Sequence, residues 1–344
     1  MSHRLVTLLI AGVCVLAGLV VAALVPVPYV ALTPGPTLNT LGSPGGKPII
    51  QIVGHRTYAT TGNLNLVTVS YTGGPGSGFN IFSALRAWLT PDDAVVPASE
   101  IYSSGQTQQQ VVQQDTQQML GSQQDATAAA LCYLNISFKT VDRVSTTVKA
   151  TPAAGALQPG DVITAVDGQQ VNCHHDVVKM IRNRKPGATV TLTIDRGGAT
   201  KTITLPTKNV SGQAVVGIQL APPKYEFPFT VKINLKDIGG PSAGLMFALG
   251  IIDKLSPGNL TAGRFIAGTG EIAPTGAVEP IGGIQQKMAG ARAAGATVFL
   301  TPAANCPNTA GAVPSGLRLV KVSSLAGAIS ELRALQNGQA VPTC

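Results

Sequence analysis

Apolar and small residues run without interruption from Leu5 to Val25, where Pro26 and Pro28 close the run. That length suffices for one helix to cross a bilayer. From Ile49 to Ser70 the pattern changes to an alternation, Ile50 and Ile52, then Leu64, Leu66, Val67 and Val69, which predicts strands. Gly73-Gly74-Pro75-Gly76-Ser77-Gly78 breaks the alternation and reads as a loop tip. In the Gln-rich stretch 106–124, Val111, Val112, Asp115, Met119 and Leu120 recur at near-helical spacing, and Ala126 to Leu131 continue it. This predicts a helix rather than a polar low-complexity tract.

Residues 135–208 have a different texture. The stretch 153–168 reads as a turn, a buried strand and an Asp-Gly turn. A helix is predicted from Asp176 to Arg184, then strands Thr189 to Ile194 and Thr200 to Leu205 around Arg196-Gly197-Gly198. A third segment begins near Tyr225, where a small-residue turn, Gly239-Gly240-Pro241-Ser242-Ala243-Gly244, feeds the apolar helical run Leu245 to Leu255.

The 344 residues leave room for two modest domains and an anchor. Charged residues are only 12% and apolar residues 44%, with 39 Gly and 24 Pro, which favours strands and turns and argues against disorder. The net charge of +8 is spread along the chain without a basic run or aromatic-basic interleaving, so no nucleic-acid partner is predicted. No repeat of solenoid or propeller period is present.

A secretory signal peptide has a shorter apolar core, of about 7 to 15 residues, so the first run reads as an uncleaved signal-anchor, with Val20-Val21-Ala22 as the competing cleavage site. Arg4 precedes the run and the next basic residue after it is Lys47, which predicts a single-pass protein of the cell membrane with the N-terminus cytoplasmic and the remainder outside. Cys14 lies in the run; Cys132, Cys173, Cys306 and Cys344 lie beyond it and suit two disulfides, for which three connectivities are open. There is no Cys-x-x-Cys pair, and the adjacent His174 and His175 diverge in helix or strand. No metal and no cofactor are predicted. Asp161 and Asp167 read as turn residues.

Gly240-Pro241-Ser242-Ala243-Gly244 has the form of a nucleophile turn feeding a helix, which places a hydroxyl near backbone N–H groups. All four histidines, His3, His55, His174 and His175, precede Ser242, whereas α/β-hydrolases carry theirs after the nucleophile. The base is therefore expected to be a lysine, and spacing leaves Lys232, Lys236, Lys254, Lys287 and Lys321 open.

Three ordered motifs narrow the choice: Gly240-Pro241-Ser242-Ala243-Gly244, then Thr269-Gly270-Glu271, then Pro280-Ile281-Gly282-Gly283 leading to Lys287. Together they resemble the proteolytic domain of Lon. That resemblance implies Ser242 as nucleophile and Lys287 as general base, with Thr269 orienting the lysine and Gly240, Pro241, Ala243 and Glu271 supporting the site. Gly240 stands directly before Pro241 and Ser242 after a second glycine, Gly239, so the acidic side chain of the usual Asp-Gly-Pro-Ser pattern has no counterpart there. The segment Gly160-Asp161-Val162-Ile163 to Val166-Asp167-Gly168 resembles the PDZ domains of bacterial proteases, which implies capture of an extended peptide by strand addition. Tyr29 to Pro36 and Gly62 to Val69 resemble the bacterial YlbL-type proteins, in which a membrane span, a PDZ domain and a Lon-like domain follow one another.

The expected fold is α+β: a transmembrane signal-anchor (1–28), strands and a helix contributed to the protease (29–124), an inserted PDZ-like domain (125–210) and a Lon-like proteolytic domain (225–344). Pairing within each inferred domain favours Cys132 with Cys173 and Cys306 with Cys344. The expected activity is ATP-independent serine endopeptidase, because no phosphate-binding loop is present. Expected substrates are extracytoplasmic or membrane proteins and peptides. The resemblance also implies a homo-oligomer of hexameric form. A PDZ scaffold that binds without cleaving, and a Ser-Lys esterase or amidase, are the alternatives.

Overall fold

The computed structural model describes residues 3–172, 176–235 and 238–344. Helix α1 (His3–Leu24) buries none of its residues, and among the described residues it is the one helix long and apolar enough to cross a membrane. There follow β1 (Tyr29–Asn39), β2 (Ile50–Val53), β3 (Asn63–Gly73), α2 (Ile81–Leu89), β4 (Ala94–Pro97), α3 (Ala98–Ile101) and α4 (Gln108–Tyr133). The Gln-rich stretch is helical as expected. Its start is set by a capping box, in which Thr107 accepts from the Gln110 N–H and the Gln110 side chain reaches back to the Thr107 N–H.

The next strands are β5 (Lys139–Thr147), β6 (Val162–Val166), β7 (Gln169–Gln170), β8 (Thr189–Arg196), β9 (Ala199–Pro206), the hairpin β10 (Lys208–Val210) and β11 (Gln213–Val215), β12 (Ile218–Leu220) and β13 (Lys224–Glu226), with helix α5 (Val177–Arg182) between β7 and β8. Apart from β10 and β11, which form a separate two-stranded sheet, these strands make an antiparallel sheet ordered β12-β5-β6-β8-β9, with β13 also on β5 and β7 on β6. Its core is its own: Val144, Ile163, Val166, Val177, Leu192 and Ile194 belong to a cluster separate from the rest of the molecule. Asp161 is more than a turn residue, since it is buried and accepts both Nε and Nη2 of Arg196, at 2.7 and 2.8 Å. Asp167 sits in its turn with a left-handed backbone (φ +49°) and ties that turn to β8 by accepting from the Thr191 N–H.

The chain then returns through β14 (Thr230–Ile233), α6 (Gly244–Leu255), β15 (Phe265–Gly268), β16 (Glu271–Ile272), β17 (Val278–Glu279), α7 (Ile284–Ala293), β18 (Val298–Pro302), β19 (Arg318–Val322) and α8 (Leu325–Gln336). The main sheet is ordered β19-β18-β15-β3-β1-β4, so strands from before and after the PDZ-like segment share one sheet. From β3 to β19 its strands are parallel, while β1 is antiparallel to both β3 and β4. Parallel strands need cover on both faces, and every residue of β18 is buried. Helices α4, α6 and α8 cover one face around Leu64, Leu66 and Phe247; α7 covers the other around Val67, Met288 and Phe299. The boundary expected between 124 and 125 falls inside α4, whose Ala126, Ala129, Ala130 and Leu131 belong to the main core.

A disulfide joins Cys306 to Cys344. Cys132 is disulfide-bonded, and its expected partner Cys173 lies outside the described residues, as do His174, His175, Lys236 and Asp237.

Candidate active site

The turn carrying Ser242 is gripped from two sides. On one side stands α4: the Gly240 N–H donates to the Asp115 carbonyl at 3.1 Å, and Ser122 Oγ donates to the Pro241 carbonyl at 2.9 Å. Gly240 is left-handed (φ +80°), and a Cβ on Gly239 would stand 2.6 Å from the Asp115 Cβ, so this close approach needs the glycine pair. On the other side the Ser242 carbonyl accepts from the Gly270 N–H at 2.9 Å and from Thr269 Oγ1 at 3.0 Å. Ala243 caps α6, a helix whose residues are buried apart from Lys254. The Ser242 position is thereby fixed by rigid neighbours while its side chain lines an open cleft.

Lys287 enters that cleft from α7. The helix starts at the left-handed Gly283 (φ +64°), seated against Val69 of β3, and the Lys287 N–H closes its first turn on the Gly283 carbonyl. Lys287 is 3% exposed. Its Nζ donates to Thr269 Oγ1 at 3.2 Å, and among the described residues it takes part in no ion pair. Burial without a counter-charge disfavours the ammonium, and the Lys287 amine is pulled down to about 7. Thr269, fully buried between β15 and β16, therefore links the amine to the Ser242 backbone. Glu271 lines the same cleft; burial, then Glu279 opposite it in the β16–β17 pair, pushes its carboxyl up.

The other candidate lysines among the described residues are elsewhere. Lys254 sits in the last turn of α6, twelve positions past Ser242 and hence about 18 Å along the helix. Lys232 and Lys321 are exposed on β14 and β19. His55 is exposed and packs on Phe229. Of the predicted residues, Ser242, Gly240, Pro241, Ala243, Glu271 and Lys287 all line one cleft of about 950 Å³, with Thr269 directly behind Lys287.

One wall of the cleft was not foreseen. Helix α4 contributes Val111, Val112, Asp115 and Met119, and β3 contributes Val67 to Tyr71. Burial pushes the Asp115 carboxyl up, and burial followed by Asp115 does the same to the Tyr102 hydroxyl. The helical pattern of α4 was legible, but its partner lies 119 positions away, at Pro241.

Residues 132–207 match the PDZ domain family model, and residues 235–332 match that of the Lon protease (S16) C-terminal proteolytic domain. The chain joins a PDZ domain to a Lon-type proteolytic domain. It is 42% identical over 69 residues to a Lon protease of Roseiflexus castenholzii, a match covering 20% of this chain and 8% of that protein. Over 79 residues it is 40% identical to Lon protease 2 of Thermus thermophilus, covering 23% and 10%. The chain thus spans a tenth or less of the length of these relatives. The PDZ domain of an SdrC-like protein from Listeria monocytogenes aligns with a TM-score of 0.22 at 26% identity, covering 23% of this chain and 86% of that one. Ser242, Thr269, Glu271 and Lys287 all fall inside the segment that matches the Lon proteolytic domain, whereas the β3 and α4 walls lie outside it.

Proposed function

We propose that this chain is a membrane-anchored serine endopeptidase that works without ATP, with Ser242 as nucleophile and Lys287 as its base. The observation that carries this reading is the environment of Lys287: a buried amine, pulled down to about 7, held by Thr269 and sharing a cleft with Ser242. An amine of that basicity is substantially neutral near pH 7 and accepts the serine proton as the hydroxyl attacks a peptide carbonyl. The oxyanion is met by backbone N–H groups of the turn that carries Ser242, just ahead of α6. Lysinium then protonates the leaving amine, the acyl-enzyme forms on Ser242, and water, deprotonated by the same lysine, releases the acid. The PDZ domain captures extended segments of extracytoplasmic or membrane proteins by adding them to its sheet. Helix α1 holds the chain in the membrane with the protease outside, and assembly into a homo-oligomeric ring belongs to the same reading.

The test compares the full chain with Ser242→Ala on a defined unfolded protein in the absence of nucleotide. Cleavage by the full chain and none by the variant is the expected result. Equal cleavage by both would refute the nucleophile, and cleavage only with ATP would refute the autonomy.

A further inference from the structure

Helix α2 turns the usual arrangement of a surface helix inside out. Its small residues Ala84 and Ala87 face the protein, packed with Ala31 and Phe79, while Ile81, Phe82, Leu85, Trp88 and Leu89 are exposed. At about 100° per residue these five side chains occupy one arc of roughly 120°, with Ser83 and Arg86 beyond its edge. Trp88 is 71% and Leu89 74% exposed. A free face of that composition is not one that water favours.

Its position says what covers it. The Asn80 side chain caps α2, accepting from the Ser83 N–H, and donates to the Ala23 carbonyl in the last turn of α1 at 2.8 Å. The Val27 N–H donates to the Phe79 carbonyl at 2.8 Å, and Pro26 bridges Asn80. The first turn of α2 is therefore tied to the end of the apolar helix, the place where a spanning helix leaves the hydrocarbon.

We infer that α2 is an interfacial helix, lying in the outer headgroup layer with Ile81, Phe82, Leu85, Trp88 and Leu89 turned into the lipid. The inference rests on the reading of α1 as a membrane anchor. Tryptophan suits that depth because its ring is apolar and its N–H is polar, and a short helix with one large apolar face binds at the same boundary. A second contact beside the anchor fixes how the protease sits on the membrane. Gly73, which lines the cleft, pairs with Val30, which is six residues past Leu24. A chain of that length spans at most about 22 Å, so the part of the cleft lined by Gly73 is held close to the bilayer. The substrates it reaches are the segments of membrane proteins that run just outside the lipid.

Trp88 is the sole tryptophan of the chain, so its fluorescence reports on α2 alone. The full chain is reconstituted in phosphatidylcholine vesicles, with or without lipids brominated near the headgroup end of the acyl chain. Labelling of Cys14 by a membrane-impermeant maleimide is mapped by peptide mass in the same samples. Cys14 stands in the middle of α1 and reports on the anchor independently. The expected result is Cys14 protected, Trp88 emission shifted to the blue, strong quenching by the brominated lipid and little by iodide. Cys14 protected with Trp88 quenched by iodide and not by bromine would overturn the inference while leaving the anchor in place. A blue-shifted Trp88 that neither reagent quenches would overturn it in favour of cover by a second copy of the chain. Labelling of Cys14 would remove the anchor and the inference with it. In the reconstituted Leu85→Asp, Leu89→Asp variant, bromine quenching of Trp88 should fall by most of its extent while hydrolysis of a soluble peptide is unchanged.

Discussion

A lysine held almost wholly out of water, with one hydroxyl as its hydrogen-bond partner, weakens the fold that contains it. The Lys287 amine titrates at about 7 in the folded chain and near 10.4 in the unfolded one. Between those values the unfolded state binds the extra proton, so stability rises with pH across that window, and at pH 7 the buried amine costs on the order of 4 kcal/mol. Lys287→Met should accordingly unfold at higher denaturant than the full chain at pH 7, with the gap closing toward pH 10, while peptide hydrolysis is lost. Denaturant titrations at three pH values measure this; a less stable Met variant at pH 7 would mean that Lys287 is stabilised by a partner the account does not include. For the unsubstituted chain, kcat/KM should rise about tenfold per pH unit below 7 and level off above it, because only the neutral amine acts as a base.

Among the elements, the start of α7 is where backbone geometry bears most directly on chemistry. Gly283 is left-handed, and a Cβ there would lie 2.7 Å from Val69 Cγ2. Gly283→Ala should cost about 1 to 3 kcal/mol from the left-handed strain and the contact. Because it displaces the helix that aims Lys287, activity should fall on the order of 10- to 100-fold. Retention of full activity together with full stability would contradict the fit of α7 against β3. Elements whose signals are local were legible in the sequence. The PDZ helix and strands lie within two residues of their expected ends, since Asp-Gly turns, the Asp176 cap and alternation act over a few positions. Thr269 contacts Lys287 Nζ, and Glu271 lines the same cleft as Lys287. What escaped is set by long-range packing. The pairing of β3 with β15 brings residues 63–66 against 265–268, and the wall formed by α4 depends on contacts from Asp115 and Ser122 to Gly240 and Pro241. Nothing in the pattern of either segment names its partner.

For the molecule as a whole, the PDZ segment leaves and re-enters the chain at neighbouring points. Lys139 and Glu226 are register partners of β5 and β13, and at this junction the Tyr225 hydroxyl donates to Asp125 of α4 at 3.0 Å, with Phe138 and Phe227 packed on its ring. We propose this junction as the domain boundary, so that residues 142–223 can be replaced by a short Gly-rich turn joining Val141 to Lys224, which already face each other in the ladder. The excised chain should hydrolyse short peptides at nearly the full rate and lose most of its activity on long unfolded proteins. A folded product unable to cleave short peptides would make the PDZ segment part of the catalytic unit. The claim on which all of this turns is that Lys287 activates Ser242, and covalent labelling tests it most directly. A peptide phosphonate should form an adduct on Ser242, located by mass, at a rate that rises through pH 7, and the adduct should be absent in a folded Lys287→Arg variant, whose guanidinium stays charged. Labelling of Ser242 in Lys287→Arg at the rate of the full chain, or proteolysis by a full chain that never labels at Ser242, would contradict the account.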